Sequence, residues 1–175
     1  GGRRLDEVVF HPAYHEFLRL GLGAGYAALP WRGRRGEGAG DAPGGADDPG
    51  GGACGGHATH AAFVYLHSQV EPGTCCPMTM TYAAGALAGL PEGWRRGVTG
   101  GRYDPDIRPA AEKAGLTLGM AMTEKQGGSD LRPTATRAER GAEGWRLTGH
   151  KWFCSAPMSD GFLTLAQTAE GLSCF

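Results

Sequence analysis

Two short stretches hold the residues best suited to chemistry. In Met122-Thr123-Glu124-Lys125-Gln126-Gly127-Gly128-Ser129-Asp130, a threonine hydroxyl is followed by two adjacent glycines and a serine. Glycines let backbone N–H groups approach an anion closely, and a serine adds a hydroxyl donor. Gly127, Gly128 and Ser129 therefore suit a phosphate or pyrophosphate. The same residues also make an ordinary Gly-Gly turn, because a short glycine motif is weak on its own. In Gly149-His150-Lys151-Trp152-Phe153-Cys154-Ser155, two adjacent aromatic rings can wall or stack on a planar ligand. Sheet packing accounts for them as readily, since aromatic residues favour strands.

The elements that must position these residues are read from periodicity. Leu116, Leu118, Met120 and Met122 alternate with Thr117, Gly119, Ala121 and Thr123, a period of two that predicts a strand. Thr123 at its end points to the face of small side chains, leaving room for a flat ligand. Further strands are expected at 134–140, 145–148, 152–155, 162–168 and 172–175. Turn chemistry at Gly141–Gly144, Gly149-His150 and Ala169–Gly171 separates them. Upstream the period is helical. Phe10, Tyr14, Phe17 and Leu18 share one side of a helix placed within 5–32, and Ala61, Ala62, Tyr65, Leu66 and Val70 make the stripe of a second over 57–71. Pro72-Gly73 stops that helix, and Pro77 suits the first turn of a third that runs to Pro91. Residues 91–115 read as loop with a short helical turn around Pro109–Ala114. Helices followed by an antiparallel sheet predict an α+β fold, with a helical part over 1–115 and an incomplete β-domain over 116–175.

Composition narrows the classes. The 175 residues carry 17 basic and 18 acidic side chains, and a net charge of −1 gives no electrostatic case for nucleic acid or an anionic membrane. No stretch approaches the roughly 18 to 20 consecutive apolar residues of a membrane span. Glycine supplies 32 residues, and 11 of them fall in the 24 positions of 33–56. That segment has no apolar residue larger than Cys54, so it is expected to be a flexible insertion. Five cysteines, an odd number, argue against a disulfide framework and for a reducing, cytoplasmic compartment. The Gly1-Gly2 start and the apolar finish at Leu172-Ser173-Cys174-Phe175 suggest a piece of a longer polypeptide.

Taken together and in this order, the two stretches resemble the middle β-domain of the acyl-CoA dehydrogenases, and more closely the AidB-type alkylation-response branch. The resemblance extends to Phe10-His11-Pro12-Ala13-Tyr14-His15, His67-Ser68-Gln69-Val70-Glu71, Cys76-Pro77-Met78-Thr79-Met80-Thr81, Thr136-Arg137-Ala138-Glu139-Arg140 and Leu165-Ala166-Gln167-Thr168. It covers most of residues 5–175 and fails over 33–56, where that branch has a shorter connection. The resemblance implies FAD as cofactor. The Thr123 hydroxyl and nearby backbone N–H groups would meet its N1–C2 edge, Gly128 and Ser129 would hold its pyrophosphate, and Trp152, Phe153, Cys154 and Ser155 would line the ring, with Met122 and Gly127 also among the cofactor-binding residues. Cys154 departs from the larger apolar residue common there. The implied activity is α,β-dehydrogenation of an acyl-CoA or similar thioester, a carboxylate taking the α-proton while the β-hydride passes to flavin N5. That base belongs to a C-terminal helical domain, so no catalytic residue is assigned here, and neither Glu71 nor Glu124 occupies its place. The resemblance also implies a homo-oligomer, a dimer or tetramer. A flavoprotein that protects DNA with little dehydrogenase turnover is the alternative, its DNA contact resting on the C-terminal region.

Other constellations have plainer readings. Cys54, His57 and His60 with Cys75 and Cys76 nearby lack the tight ligand pairs of a zinc site. His11 and His15 lack the adjacent Glu of a metalloprotease helix, which leaves capping or packing. Gly21-Leu22-Gly23-Ala24-Gly25 follows a helix with the wrong spacing for a dinucleotide fingerprint, and reads as a helix terminus.

Overall fold

His11 and Pro12 set where the chain first becomes helical. Pro12 supplies a preset φ at the first helical position, and His11 Nδ1 accepts from the Ala13 N–H at 3.2 Å, capping the turn. A computed structural model describes residues 2–4, 6–32 and 56–175. The Gly-rich segment expected over 33–56 lies outside the described residues except for Gly56, which starts a helix instead.

Helix α1 spans Pro12–Gly23 and not the whole of 5–32; a short α2 follows at Leu29–Arg32. The break between them is the Gly21–Gly25 motif acting as a terminus. Gly25 takes φ +97°, its N–H bonds to Leu22 O, and the Tyr26 N–H reaches back to Gly21 O, each at 3.0 Å. That pair of hydrogen bonds is a Schellman cap, which needs a residue at ease with positive φ. Helix α3 spans Gly56–Val70, and the Glu71 carboxylate stops it by accepting from the Gly73 and Thr74 N–H groups. Helix α4 spans Cys75–Ala84, short of the expected run to Pro91. Residues 91–115 are not mostly loop, because Glu92–Thr99 form α5. The Arg95 guanidinium secures α5 by donating to Gly85 O and Leu87 O in the preceding turn. The expected turn near Pro109 is a 3-10 turn at Ala110–Glu112.

The face that α3 buries differs from the expected stripe. Tyr65, Leu66 and Val70 are 61–70% exposed, whereas His60 is buried and Phe63 and Val64 pack on the core. The reason is an aromatic network. The His60 ring stacks on Tyr82 at 3.5 Å between centroids, His60 Nδ1 bonds Tyr26 O, and His67 Nε2 bonds Thr74 Oγ1, both at 2.8 Å. Burial depresses the His60 pKa against the opposing pull of the Tyr26 carbonyl. His57, Tyr82 and Trp31 continue the network, and His15 bonds Tyr103, so these histidines serve packing. Among the described residues no three or more His, Cys, Asp or Glu side chains cluster as a metal site; Cys54 lies outside them. No described helix is long and apolar enough to cross a membrane.

Among the described residues five strands form the sheet: β1 Leu118–Ala121, β2 Arg137–Gly141, β3 Gly144–Thr148, β4 Gly161–Thr168 and β5 Gly171–Cys174. The β2–β3 and β4–β5 pairs are antiparallel hairpins, the first closing at Gly141 opposite Gly144. The sheet is nevertheless mixed, which corrects the antiparallel expectation. β4 pairs in parallel with β1, Leu118 opposite Gly161, and with β2 at Arg137 opposite Gln167. Asp160 imposes the parallel register, because its carboxylate accepts from the Thr117 N–H and its own N–H donates to Thr117 O. Both strands therefore start from the same point. The strand expected at 152–155 is absent; Lys151 makes one bridge to Glu124, and Phe153 then turns to φ +62°.

The helices and the sheet share one apolar seam. Ala84, Val98, Leu116, Leu118 and Leu163 are buried together, with Leu87, Leu90, Trp94, Ala110 and Met120 packed against them. A polar link crosses the same seam. Thr81 on α4 donates to Pro77 O and accepts from the Leu118 N–H at 3.1 Å, so β1 hangs from the helix. A second cluster of Leu18, Leu22, Tyr26, Ala27 and Met78 holds the helices to one another.

Candidate functional site

The carboxyl end of β1 delivers Met122 and Thr123 to a tight turn. Glu124 and Gly127 exchange both backbone hydrogen bonds, each at 3.1 Å, which folds Lys125 and Gln126 outward. Gly128 then passes directly against Thr123. A Cβ there would lie 2.6 Å from Thr123 Oγ1, so only glycine fits without moving the hydroxyl. Ser129 is exposed beside the turn, next to the surface pair of Asp130 and Arg132.

Glu124 organises this loop although no spacing rule singled it out. Its carboxylate is 3% exposed and receives five donors. Oε1 accepts from Lys151 Nζ at 2.8 Å, the Thr136 N–H at 3.0 Å and Thr136 Oγ1. Oε2 accepts from the Ala135 N–H and from Gln126 Nε2. Burial alone would raise the Glu124 pKa. The hydrogen bonds from Lys151, Thr136, Gln126 and Ala135 outweigh it and hold the carboxyl far below the usual carboxylate range. A carboxylate so saturated has no lone pair left for a substrate proton.

The second stretch is tied to the first by its backbone. The Trp152 N–H donates to Thr123 O at 2.8 Å, and Lys151 Nζ reaches Met122 O at 3.4 Å. Past this anchor the side chains turn outward. Trp152 is 46% and Phe153 74% exposed, with Cys154 and Ser155 exposed as well. The left-handed backbone at Phe153 costs a bulky residue on the order of 1–2 kcal/mol. Cys154 and Lys151 line a cavity of about 340 Å³ with Ala121, Pro157, Phe162 and Thr164.

Thr123, Gly127, Gly128 and Trp152 are thus joined by direct contacts around one loop, with Met122 touching the same anchor. Phe153, Cys154 and Ser155 follow from that anchor, while Ser129 and Ser155 remain at the surface. The donor set suits a flat, anionic group: a hydroxyl, a glycine turn that a Cβ would fill, and two exposed aromatic side chains set edge to face.

The family model for the adaptive response protein AidB N-terminal domain matches residues 1–105, and that for the acyl-CoA dehydrogenase middle domain matches 119–175. The chain belongs to the AidB-type acyl-CoA dehydrogenase family. AidB of Escherichia coli (strain K12), which carries a provisional acyl-CoA dehydrogenase name, is 46% identical over 180 residues. That match takes in 99% of this chain and 30% of the relative's length. Among solved structures, Bd2924 in its apo form has a TM-score of 0.68 at 24% identity, covering 99% of this chain and 33% of that one. Caenorhabditis elegans ACDH-11 in complex with C11-CoA has a TM-score of 0.65 at 24% identity, covering 99% and 28%. These two establish the likeness of fold. The AidB-type chain therefore spans about a third of the proteins it matches, and the resemblance read from its motifs is correct at the level of family.

Sequence reasoning missed Glu124, Lys151 and Thr136 as organisers of the loop. The available signal was a lysine directly before the aromatic pair and a glutamate directly after the strand-end threonine.

Proposed function

We propose that this chain supplies one wall of an FAD site in an acyl-CoA dehydrogenase-type flavoprotein. The observation that carries the reading is the hydrogen bond from the Trp152 N–H to Thr123 O, which unites two stretches 29 residues apart in sequence into one surface. On this reading the Thr123 hydroxyl and the N–H groups of Gly128 and Ser129 are donors to the cofactor's anionic and carbonyl oxygens, while Gly127, its own N–H held by Glu124 O, shapes the turn that presents them. Trp152 and Phe153 wall the ring and exclude water, with Cys154 and Ser155 beside them. FAD supplies a two-electron acceptor when bound. The substrate class is an acyl thioester; the C11-CoA named for the nematode relative supports that class. Neither Glu124, filled by five donors, nor Glu71, which caps the turn after α3, takes the substrate proton.

The test is FAD titration of the protein in the length its source makes it, followed by anaerobic addition of acyl-CoA. Saturable FAD binding with loss of the oxidised flavin absorbance on adding thioester is expected. Thr123→Val should weaken binding or shift the flavin spectrum. Absence of any FAD binding overturns the site, and bound flavin that no thioester bleaches overturns the dehydrogenase activity alone.

A further inference from the structure

We infer that Glu124 and Lys151 are positioning residues that build the cofactor loop in advance of the cofactor. The inference rests on the flavin reading for its purpose but on the chain's own contacts for its geometry. Glu124 collects donors from two segments besides its own turn, Ala135 and Thr136 at the approach to β2 and Lys151 before the aromatic pair, and from Gln126 within the turn itself. Gln126 passes the restraint on by also donating to Pro133 O, and Gln167 on β4 closes the far side by donating its N–H to Thr136 O. All of these bonds exist between protein groups. The loop's shape therefore has a set of internal partners that requires no ligand, and binding need not spend free energy on ordering it.

The donor set also makes the pair directional. Two of the five donors are backbone N–H groups, which accept nothing, so the group at position 124 must be an acceptor. Exchanging the two charges would keep the ion pair and aim an ammonium at the Ala135 and Thr136 N–H groups. A structural pair valued only for its charges would tolerate the exchange.

The test is amide hydrogen exchange on the FAD-free protein in its source length, read at Gly127 and Trp152, together with FAD affinity. Both amides should be protected without FAD. Glu124→Gln should speed their exchange at least tenfold and weaken FAD binding at least tenfold, while amides of the β4–β5 hairpin stay protected. Lys151→Arg should restore most of the protection that Lys151→Met loses, and the exchanged pair Glu124→Lys with Lys151→Glu should not. Gln126→Ala, at an exposed position, keeps the test alive should Glu124→Gln fail to fold, and should speed exchange at Gly127 alone. Unprotected amides that become protected only on adding FAD would overturn the inference and leave the flavin reading intact. Fast exchange in Glu124→Gln with unchanged FAD affinity would show that Glu124 orders the loop, but would overturn the inference that this ordering serves FAD and would take the loop out of the cofactor site. Full recovery in the exchanged pair overturns the directional argument.

Discussion

Lys113 and Asp160 form an ion pair at 2.7 Å with side chains only 5% and 7% exposed, so the two single substitutions should differ in cost. Asp160→Asn keeps an acceptor for the Thr117 N–H but leaves the Lys113 ammonium without a counter-charge in a buried place. Breaking a buried pair in that way costs about 3–5 kcal/mol. Lys113→Met fills much of the same volume and leaves the Asp160 carboxylate still accepting from the Thr117 N–H and hydroxyl, at 2.8 and 3.3 Å. What is lost then is close to one charged hydrogen bond, about 1.5–3 kcal/mol. With roughly 2–4 °C per kcal/mol in a chain of this size, Asp160→Asn should lower Tm by roughly 6–20 °C and Lys113→Met by roughly half as much. Adding Lys113→Met to Asp160→Asn should recover stability, because it removes the orphaned charge. Urea and thermal unfolding of the two singles and the double at pH 7 measure the cycle. A double variant less stable than Asp160→Asn alone would refute the reasoning.

Acid should unfold the protein in two windows. Burial depresses the folded pKa of His60, so the unfolded chain takes up a proton first and stability begins to fall below about pH 6.5. Glu124, Asp104 and Glu71 are also depressed, Asp104 by Arg108 and Glu71 by Thr74, so their contribution persists above the ordinary carboxylate range and is lost below about pH 4.5. His60→Phe should remove the first fall and spare the second, and urea midpoints that stay flat from pH 6.5 to 5 in the unsubstituted protein would contradict this. Gly128→Ala should displace the Thr123 hydroxyl at a cost of about 1–3 kcal/mol and weaken FAD binding at least tenfold. Equal affinity in a titration would take Thr123 out of the site. Tyr65→Ser and Val70→Ser, on the outward face of α3, should each change stability by less than about 0.5 kcal/mol, and a larger loss would mean that this face is covered.

Where a rule is local, the residues gave the structure away. The alternation from Leu116 to Thr123 marks β1, and Gly141–Gly144 and Ala169–Gly171 mark the hairpin turns, because a period of two and a positive φ are properties of a few adjacent residues. Failures came where a distant group decides. Helix α5 contains Gly93 and Gly97 and reads as loop, yet Arg95 donates to carbonyls of the preceding turn. The inward face of α3 is chosen by His60 and His67, which hydropathy scores as polar although aromatic stacking buries or half-buries them. Parallel pairing of β1 with β4 depends on Asp160, 43 residues beyond Thr117. Glu124 draws donors from as far as Lys151, and no spacing in a single sequence connects them.

Two ion pairs buried among the described residues sit at opposite ends of β1, and their placement says what the helical part contributes to the site. Lys113 and Asp160 fix where the strand starts, Glu124 and Lys151 fix where it ends, and Thr81 on α4 holds the Leu118 N–H between them. At about 3.3 Å per residue, the four residues of β1 set Thr123 within roughly 20 Å of the helix that carries Thr81. A strand pinned at both ends cannot slide in register, and a slip of one residue would turn Thr123 to the opposite face. The helices therefore act on the site by fixing the position of one strand. A substitution in the α4–β1 seam, such as Thr81→Val, acts on the loop through register and not through contact.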